Sequence, residues 1–320
     1  MTHPLATTGI RLAIIGPGAL GTLFAARLAL AGAPLLLLDY RQERAHALQR
    51  DGIRLRDAAG EQHVHLTVTA DPQALGEVDA ALVLVKAYRT EEIAETLAAH
   101  LPAHAVALTL QNGLGNVETL QLHLGQDRVF GGTTAQGAFL ESPGVVRDMG
   151  AGPITVGSPC GQADARLDDL CQALLLAGFA VSITCDLPAA LWQKAILNAA
   201  INPVGALTRL RNGQLAAHLP SRKLMVAAAR EAHAVARALG VAVEAQDWAA
   251  RLQAICQATA PNINSMLQDV LRGRRTEIDA INGAIVRAAE HLQQPAPINH
   301  TLCCLVQAVE QGYAEAATLT

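Results

Sequence analysis

Three polar side chains recur at four-residue intervals inside an otherwise apolar run: Lys194, Asn198 and Asn202 in "WQKAILNAAINP". Residues four apart share a helix face, so together they would form a stripe about 12 Å long. That is long enough for a small polar substrate, to which it would present one ammonium and two neutral amides. Asparagine is a weak helix former, so its presence inside a helix needs a reason, which a ligand or a buried network supplies and a solvent face does not.

A second group lies near the N-terminus. "GPGALG", comprising Gly16, Pro17, Gly18, Ala19, Leu20 and Gly21, satisfies G-x-G-x-x-G between a short apolar run and a helically spaced one. Glycines there allow a tight turn, close approach of backbone to a pyrophosphate, and close helix–strand packing, while the helix N-terminus favours the anion. Asp39 follows about 20 residues later, where a carboxylate accepts hydrogen bonds from the ribose 2′-OH of NAD. Arg41 and Arg44 come directly after it and could instead reach a 2′-phosphate, or Asp39 could simply cap the next helix. Lys86 ends "ALVLVK" and Asn112 ends "ALTLQNG", both at carboxyl ends of strands, where open α/β sheets bind ligands. Ser265, after "APNIN", and Glu277, in "RTEID", read by residue type alone as an N-cap and a helix-dipole acid.

Positioning these groups requires two kinds of architecture. "IRLAIIG", "PLLLLDY", "DAALVLVKAY" and "AVALTLQNG" are short apolar runs separated by helical patterns, the signature of a parallel, doubly wound sheet. The Gly- and Thr-rich stretch from Arg128 to Gly157 suggests antiparallel strands added at one edge, before a helix and a last strand, "FAVSITCD". From 188 onward the pattern is helical, over 188–201, 221–239, 244–258, 276–292 and 298–316. The reading is a dinucleotide-binding α/β domain over 1–187 and an all-helical domain over 188–320, with a cleft between them.

Composition narrows the function. Hydrophobic residues make up 51% of the 320, charged residues 16%, and the formal net charge is −4, which fits a soluble helix-rich α/β protein. With no basic tract, nucleic acid and anionic membrane surfaces are unexpected partners. The six cysteines lack CxxC spacing, so neither a metal site nor a disulfide framework is expected, and the compartment reads as cytoplasmic. No signal peptide is expected in "MTHPLATTGI", and "LALAGAPLLLL" is too short and interrupted to span a bilayer. Apolar C-terminal helices would suit a homodimer.

Taken together the chain resembles the ketopantoate reductase (2-dehydropantoate 2-reductase) family over nearly its whole length. "GPGALG", "KAY", "QNGLGN", "GGTTAQGA", "LWQKAILNAAINP", "NINSMLQD" and "RTEIDAING" occur in the family's order. The resemblance implies a Rossmann-type N-terminal domain and a helical C-terminal domain like that of 6-phosphogluconate dehydrogenase. It implies NAD(P)H-dependent reduction of a 2-oxo acid, with Lys194 as general acid and Glu277 orienting Lys194 or the substrate hydroxyl and contacting the cofactor. Asn112, Asn198, Asn202 and Ser265 would hold substrate groups; Gly16 to Gly21, Lys86, Asn112 and Ala138 would line the cofactor. Family members using NADPH usually carry arginine at the end of the second strand, where this chain has "DYR". That departure favours NAD and keeps a D-2-hydroxyacid dehydrogenase acting on another 2-oxo acid as the alternative.

Overall fold

A computed structural model describes residues 9–150 and 152–316. The reading of the N-terminus as lacking a signal peptide falls largely on residues 1–8, outside the described residues. Two compact units form, one from 1–111 and 116–187, the other from 112–115 and 188–320.

Among the described residues the first unit holds twelve strands: β1 (Leu12–Ile15), β2 (Leu35–Leu38), β3 (Ile53–Asp57), β4 (Gly60–Val64), β5 (Thr67–Thr69), β6 (Ala80–Val83), β7 (Val106–Thr109), β8 (Val129–Thr134), β9 (Gly137–Ser142), β10 (Val145–Gly150), β11 (Ile154–Gly157) and β12 (Val181–Ile183). Its helices are α1 (Ala19–Leu30), α2 (Gln42–Asp51), α3 (Thr90–His100), α4 (Asn116–Leu124) and α5 (Ala165–Leu176). Eight strands form one sheet in the order β12-β11-β8-β7-β6-β1-β2-β5, parallel except where β11 runs against β8. β1 is buried along its whole length and β2 along most of it, which is why they read as unbroken apolar runs rather than alternating ones.

The edge at Arg128–Gly157 differs from expectation. β8 joins the main sheet parallel to β7, and β11 alone is antiparallel to it. β9 and β10 leave for a second sheet of order β4-β3-β10-β9, pairing with a hairpin over 53–64 that the sequence reading did not find. Ile53, Leu55, Val64 and Val146 turn one face of this sheet into the same core as Leu23 and Phe24 of α1. The alternation of apolar Ile53 and Leu55 with Arg54 and Arg56 was the available strand signal.

The second unit is helical: α6 (Leu187–Thr208), α7 (Asn212–Ala217), α8 (Leu219–Ala238), α9 (Trp248–Ala258), α10 (Ser265–Leu271), α11 (Asn282–His291) and α12 (Pro297–Ala316). Trp192, Ile196, Met225, Trp248, Ile285 and Leu302 share its core. Three boundaries shift by more than two residues, and the first is the start of α9, at Trp248 rather than 244. α6 continues seven residues beyond 201, through Pro203. α11 starts at Asn282 rather than 276, so Glu277 lies in a turn before the helix and not in its first turn.

Candidate active site

The glycine turn closes β1 onto α1. Gly16 has φ +100°, a conformation that side chains disfavour, and a Cβ on Gly21 would lie 1.9 Å from the Gly16 carbonyl oxygen. Gly18 differs, because a Cβ there would meet nothing nearer than the Leu84 carbonyl oxygen at 4.0 Å. Internal packing therefore does not demand glycine at 18, and the space over its backbone is open. Among the described residues no side chain caps the α1 N-terminus, so its first N–H groups stay available to an anion. Gly16, Asp39, Tyr40, Val85 and Ile93 line an adjoining cavity. These observations fit a dinucleotide with its pyrophosphate on the turn.

Asp39 is buried, and its carboxylate is already engaged. Arg44 donates to it from Nε at 2.5 Å and from a terminal nitrogen at 2.6 Å, and the Arg41 backbone N–H adds a third bond at 3.1 Å. The pairing raises Arg44 above its ordinary range. Arg41 itself occupies the N-cap position of α2, so Asp39 is not the cap residue. Exposed Tyr40 carries guanidinium groups against its ring, Arg89 at 3.7 Å, Arg44 at 5.2 Å and Arg41 at 5.4 Å from the centroid. Arg89 was not singled out from sequence; it stands three residues after Lys86 in the motif "KAY" with its following arginine.

Lys86 sits half-buried at the end of the β6 segment, opening a short turn over Ala87–Arg89. A buried network ties that turn to the end of β7: Gln111 Nε2 donates to the Val85 carbonyl at 3.0 Å and to Thr90 Oγ1 at 2.9 Å, and Thr90 Oγ1 approaches Asn116 Oδ1 at 2.8 Å. Ala138 lies half-buried on β9, packed against the core that contains α1.

In the second unit the structure brings together three of the polar residues singled out from sequence, Asn112, Asn198 and Glu277. Asn112 Oδ1 accepts from Asn198 Nδ2 at 3.2 Å, while Asn112 Nδ2 lies 3.4 Å from Glu277 Oε2. Gly113 makes the approach possible: its φ is +92°, and a Cβ would come within 2.5 Å of the Ala280 carbonyl oxygen. Leu114 N–H donates to that same carbonyl. Asn202 is buried, and its Nδ2 has no hydrogen-bond partner among the described residues. A buried donor without an acceptor is costly, and a ligand oxygen would satisfy it.

Lys194 is half-buried on α6, and no carboxylate pairs with it among the described residues. Burial alone pulls its pKa below the ordinary lysine value of 10.5. Ser265 is not an N-cap. Asn264 fills that role, accepting from Leu267 N–H at 2.9 Å, which leaves the Ser265 hydroxyl for other work. Among the described residues no group of three His, Cys, Asp or Glu is arranged to hold a metal ion, and no helix is long and apolar enough to cross a membrane.

Comparison with known proteins agrees in extent. The model of the family described as "Ketopantoate reductase PanE/ApbA" matches residues 12–160, and that of its C-terminal domain matches 186–310. A 2-dehydropantoate 2-reductase of Halobacterium salinarum is 34% identical, covering 94% of this chain and 99% of its own. One from Archaeoglobus fulgidus is 36% identical, covering 94% and 98%. Among solved structures, a PanE/ApbA family ketopantoate reductase from Ralstonia eutropha JMP134 superposes with TM-score 0.87 at 32% identity, covering 95% of this chain and all of that one. D-mandelate dehydrogenase with NADH and anilino(oxo)acetate reaches the same TM-score at 23% identity, a likeness of fold alone.

Proposed function

Since the chain belongs to the ketopantoate reductase PanE/ApbA family, we propose that it reduces 2-dehydropantoate to D-pantoate with a nicotinamide dinucleotide. The observation that carries the reading is Lys194, a half-buried ammonium with no carboxylate partner among the described residues, in line with the amides of Asn198 and Asn202. The proposal takes 1–187 as the dinucleotide-binding domain and 188–320 as the helical substrate-binding domain.

The bound dinucleotide supplies hydride. The residues of this chain do the rest. The glycine turn from Gly16 to Gly21 holds the pyrophosphate through backbone N–H groups at the start of α1, and Lys86 and Ala138 line the same ligand. Lys194 donates a hydrogen bond to the keto oxygen and passes its proton to the alkoxide as the carbonyl carbon is reduced. Its lowered pKa eases that transfer. Asn198, Asn202 and Ser265 orient the carboxylate and hydroxyl groups of the substrate. Glu277, next to Asn112, orients the substrate hydroxyl or the lysine and contacts the cofactor.

NADPH is the proposed donor, against the sequence expectation that Asp39 favours NAD. The carboxylate that would select a free ribose diol is neutralised by Arg44, and Arg41 and Arg89 gather at Tyr40 beside it. Positive charge there suits a 2′-phosphate. The reading takes the enzyme as cytoplasmic and homodimeric, the latter measurable by sedimentation.

Steady-state turnover of 2-dehydropantoate against other branched and aromatic 2-oxo acids, with NADPH and NADH in parallel, tests the proposal. Highest kcat/KM with 2-dehydropantoate is the expected result. Negligible turnover of it beside efficient reduction of another 2-oxo acid would establish the D-2-hydroxyacid dehydrogenase reading instead.

A further inference from the structure

Pro203 leaves a gap inside α6. It has no N–H, so the Ala199 carbonyl, four residues earlier, loses its helical donor. Asn282 fills the gap: its Nδ2 donates to the Ala199 carbonyl at 3.0 Å. The same nitrogen donates to Asn299 Oδ1 at 3.0 Å, and Asn299 Nδ2 donates to the Ala228 carbonyl and to Glu231 Oε1. Asn282 and Asn299 are both fully buried. A second asparagine, Asn264, supports the same turn of α6 from another side, with its Nδ2 3.4 Å from the Ile201 carbonyl.

The location of the gap matters. The interrupted bond spans residues 199 to 203, starting just after Asn198 and enclosing Asn202, so the local helix geometry sets where Asn202 stands relative to Asn198 and Lys194. Asn282 also begins α11, five residues after Glu277 and directly after the turn whose Ala280 carbonyl accepts from Leu114 N–H. One amide therefore joins the interruption in α6 to the segment carrying Glu277.

We propose that Asn282 is a positioning residue: by replacing the hydrogen bond that Pro203 removes, it fixes the geometry of α6 and the placement of Asn202 against Lys194 and Asn198. The inference rests on the reading of α6 as the substrate-holding helix. Its role is indirect, through a backbone carbonyl, and it is distinct from contact with any ligand.

The test is a double-mutant cycle between Asn282→Ala and Pro203→Ala, reading KM and kcat for the 2-oxo acid, dinucleotide Kd by fluorescence titration, and Tm. Asn282→Ala alone should lower kcat/KM by about ten- to a hundredfold, with KM raised, because small misplacements of orienting groups are amplified in rate. Dinucleotide Kd should hold within about twofold. In the Pro203→Ala background the new backbone N–H serves the Ala199 carbonyl, so the kcat/KM loss from Asn282→Ala should shrink to about threefold or less, while the Tm loss from the severed Asn299 bond persists. Equal kcat/KM losses in both backgrounds would overturn the proposal, as would a loss confined to the active fraction with KM unchanged. Should Asn282→Ala fail to fold, the shorter Asn282→Ser decides: a raised KM that Pro203→Ala relieves supports the proposal, and unchanged KM and kcat, or a raised KM that Pro203→Ala leaves as it is, refute it. A wild-type chain that reduces no 2-oxo acid would defeat the functional reading itself, a separate outcome from equal losses in a working enzyme.

Discussion

Arg44 and Asp39 form a fork-to-fork pair at the end of β2, with the Asp39 side chain wholly buried and the Arg44 side chain 23% exposed. The pair converts a residue that reads as an NAD signature into a neutral element. Arg44→Ala uncovers the carboxylate beside the place where a 2′-phosphate would sit. The affinity ratio for NADPH over NADH should then fall by about tenfold, the scale of one uncovered charge near a phosphate at partial exposure. Stability should fall by about 2–3 kcal/mol, since breaking a buried pair strands its partner. Fluorescence titration with both dinucleotides, with chemical denaturation alongside, measures the two effects.

The guanidinium cluster at Tyr40 gives a complementary expectation. Arg89 is the group nearest the ring, and Glu92 anchors it at 2.6 and 2.7 Å. Arg89→Ala should weaken NADPH by about five- to thirtyfold, as expected for one charge-assisted contact, and leave NADH within about twofold. Equal weakening of both would assign Arg89 to adenine packing instead.

The strand–helix alternation and the helical second half were legible because buried parallel strands read as unbroken apolar runs, and amphipathic helices keep a 3.6-residue period. The hairpin over 53–64 was not. Its strands pack only one face on the core, and their exposed Arg, Glu and His residues mask the pattern. In the site, spacing alone aligned Lys194, Asn198 and Asn202, because four-residue intervals translate directly into a face. That Asn112 joins Asn198 and Glu277 depends on the turn at Gly113, which brings together residues 86 and 165 positions apart in the chain. No local periodicity encodes such a contact. The role of Asn282 follows from a missing N–H at Pro203, visible only once the helix is seen to pass through it.

Gly113 should tolerate no side chain. Gly113→Ala combines a left-handed backbone with a Cβ 2.5 Å from the Ala280 carbonyl oxygen. The expected loss is about 2–4 kcal/mol of stability from strain and overpacking, measured by thermal unfolding. Because the displaced loop carries Asn112, substrate KM should rise in the surviving folded protein.

Asn202 separates function from stability. Its buried Nδ2 lacks a partner among the described residues, so Asn202→Leu removes a desolvation penalty of about 1–3 kcal/mol and should leave the fold as stable as before or more so. The same change should raise KM for the 2-oxo acid by about tenfold or more. A large fall in Tm with KM unchanged would mean that Asn202 serves the core and not the substrate.

Lys194 ties rate and stability to pH with opposite signs. Burial depresses its pKa below the ordinary 10.5, so the proton required for reduction is lost at a lower pH than for a free lysine. Reduction should be constant on the acid side and fall as pH rises through the lowered pKa. Lys194→Ala should reduce turnover by about 10²- to 10⁴-fold and abolish that alkaline limb, with dinucleotide affinity intact. Stability runs the other way. Between the folded-state pKa and 10.5 the unfolded chain binds the extra proton, so stability climbs with pH across that window. Below it the cost of burying the ammonium is fully present. Lys194→Met should therefore raise Tm at neutral pH, with the gain disappearing as pH approaches 10.5. If Tm differed from wild type by the same amount at all pH values, the burial of a charged lysine would not be its source.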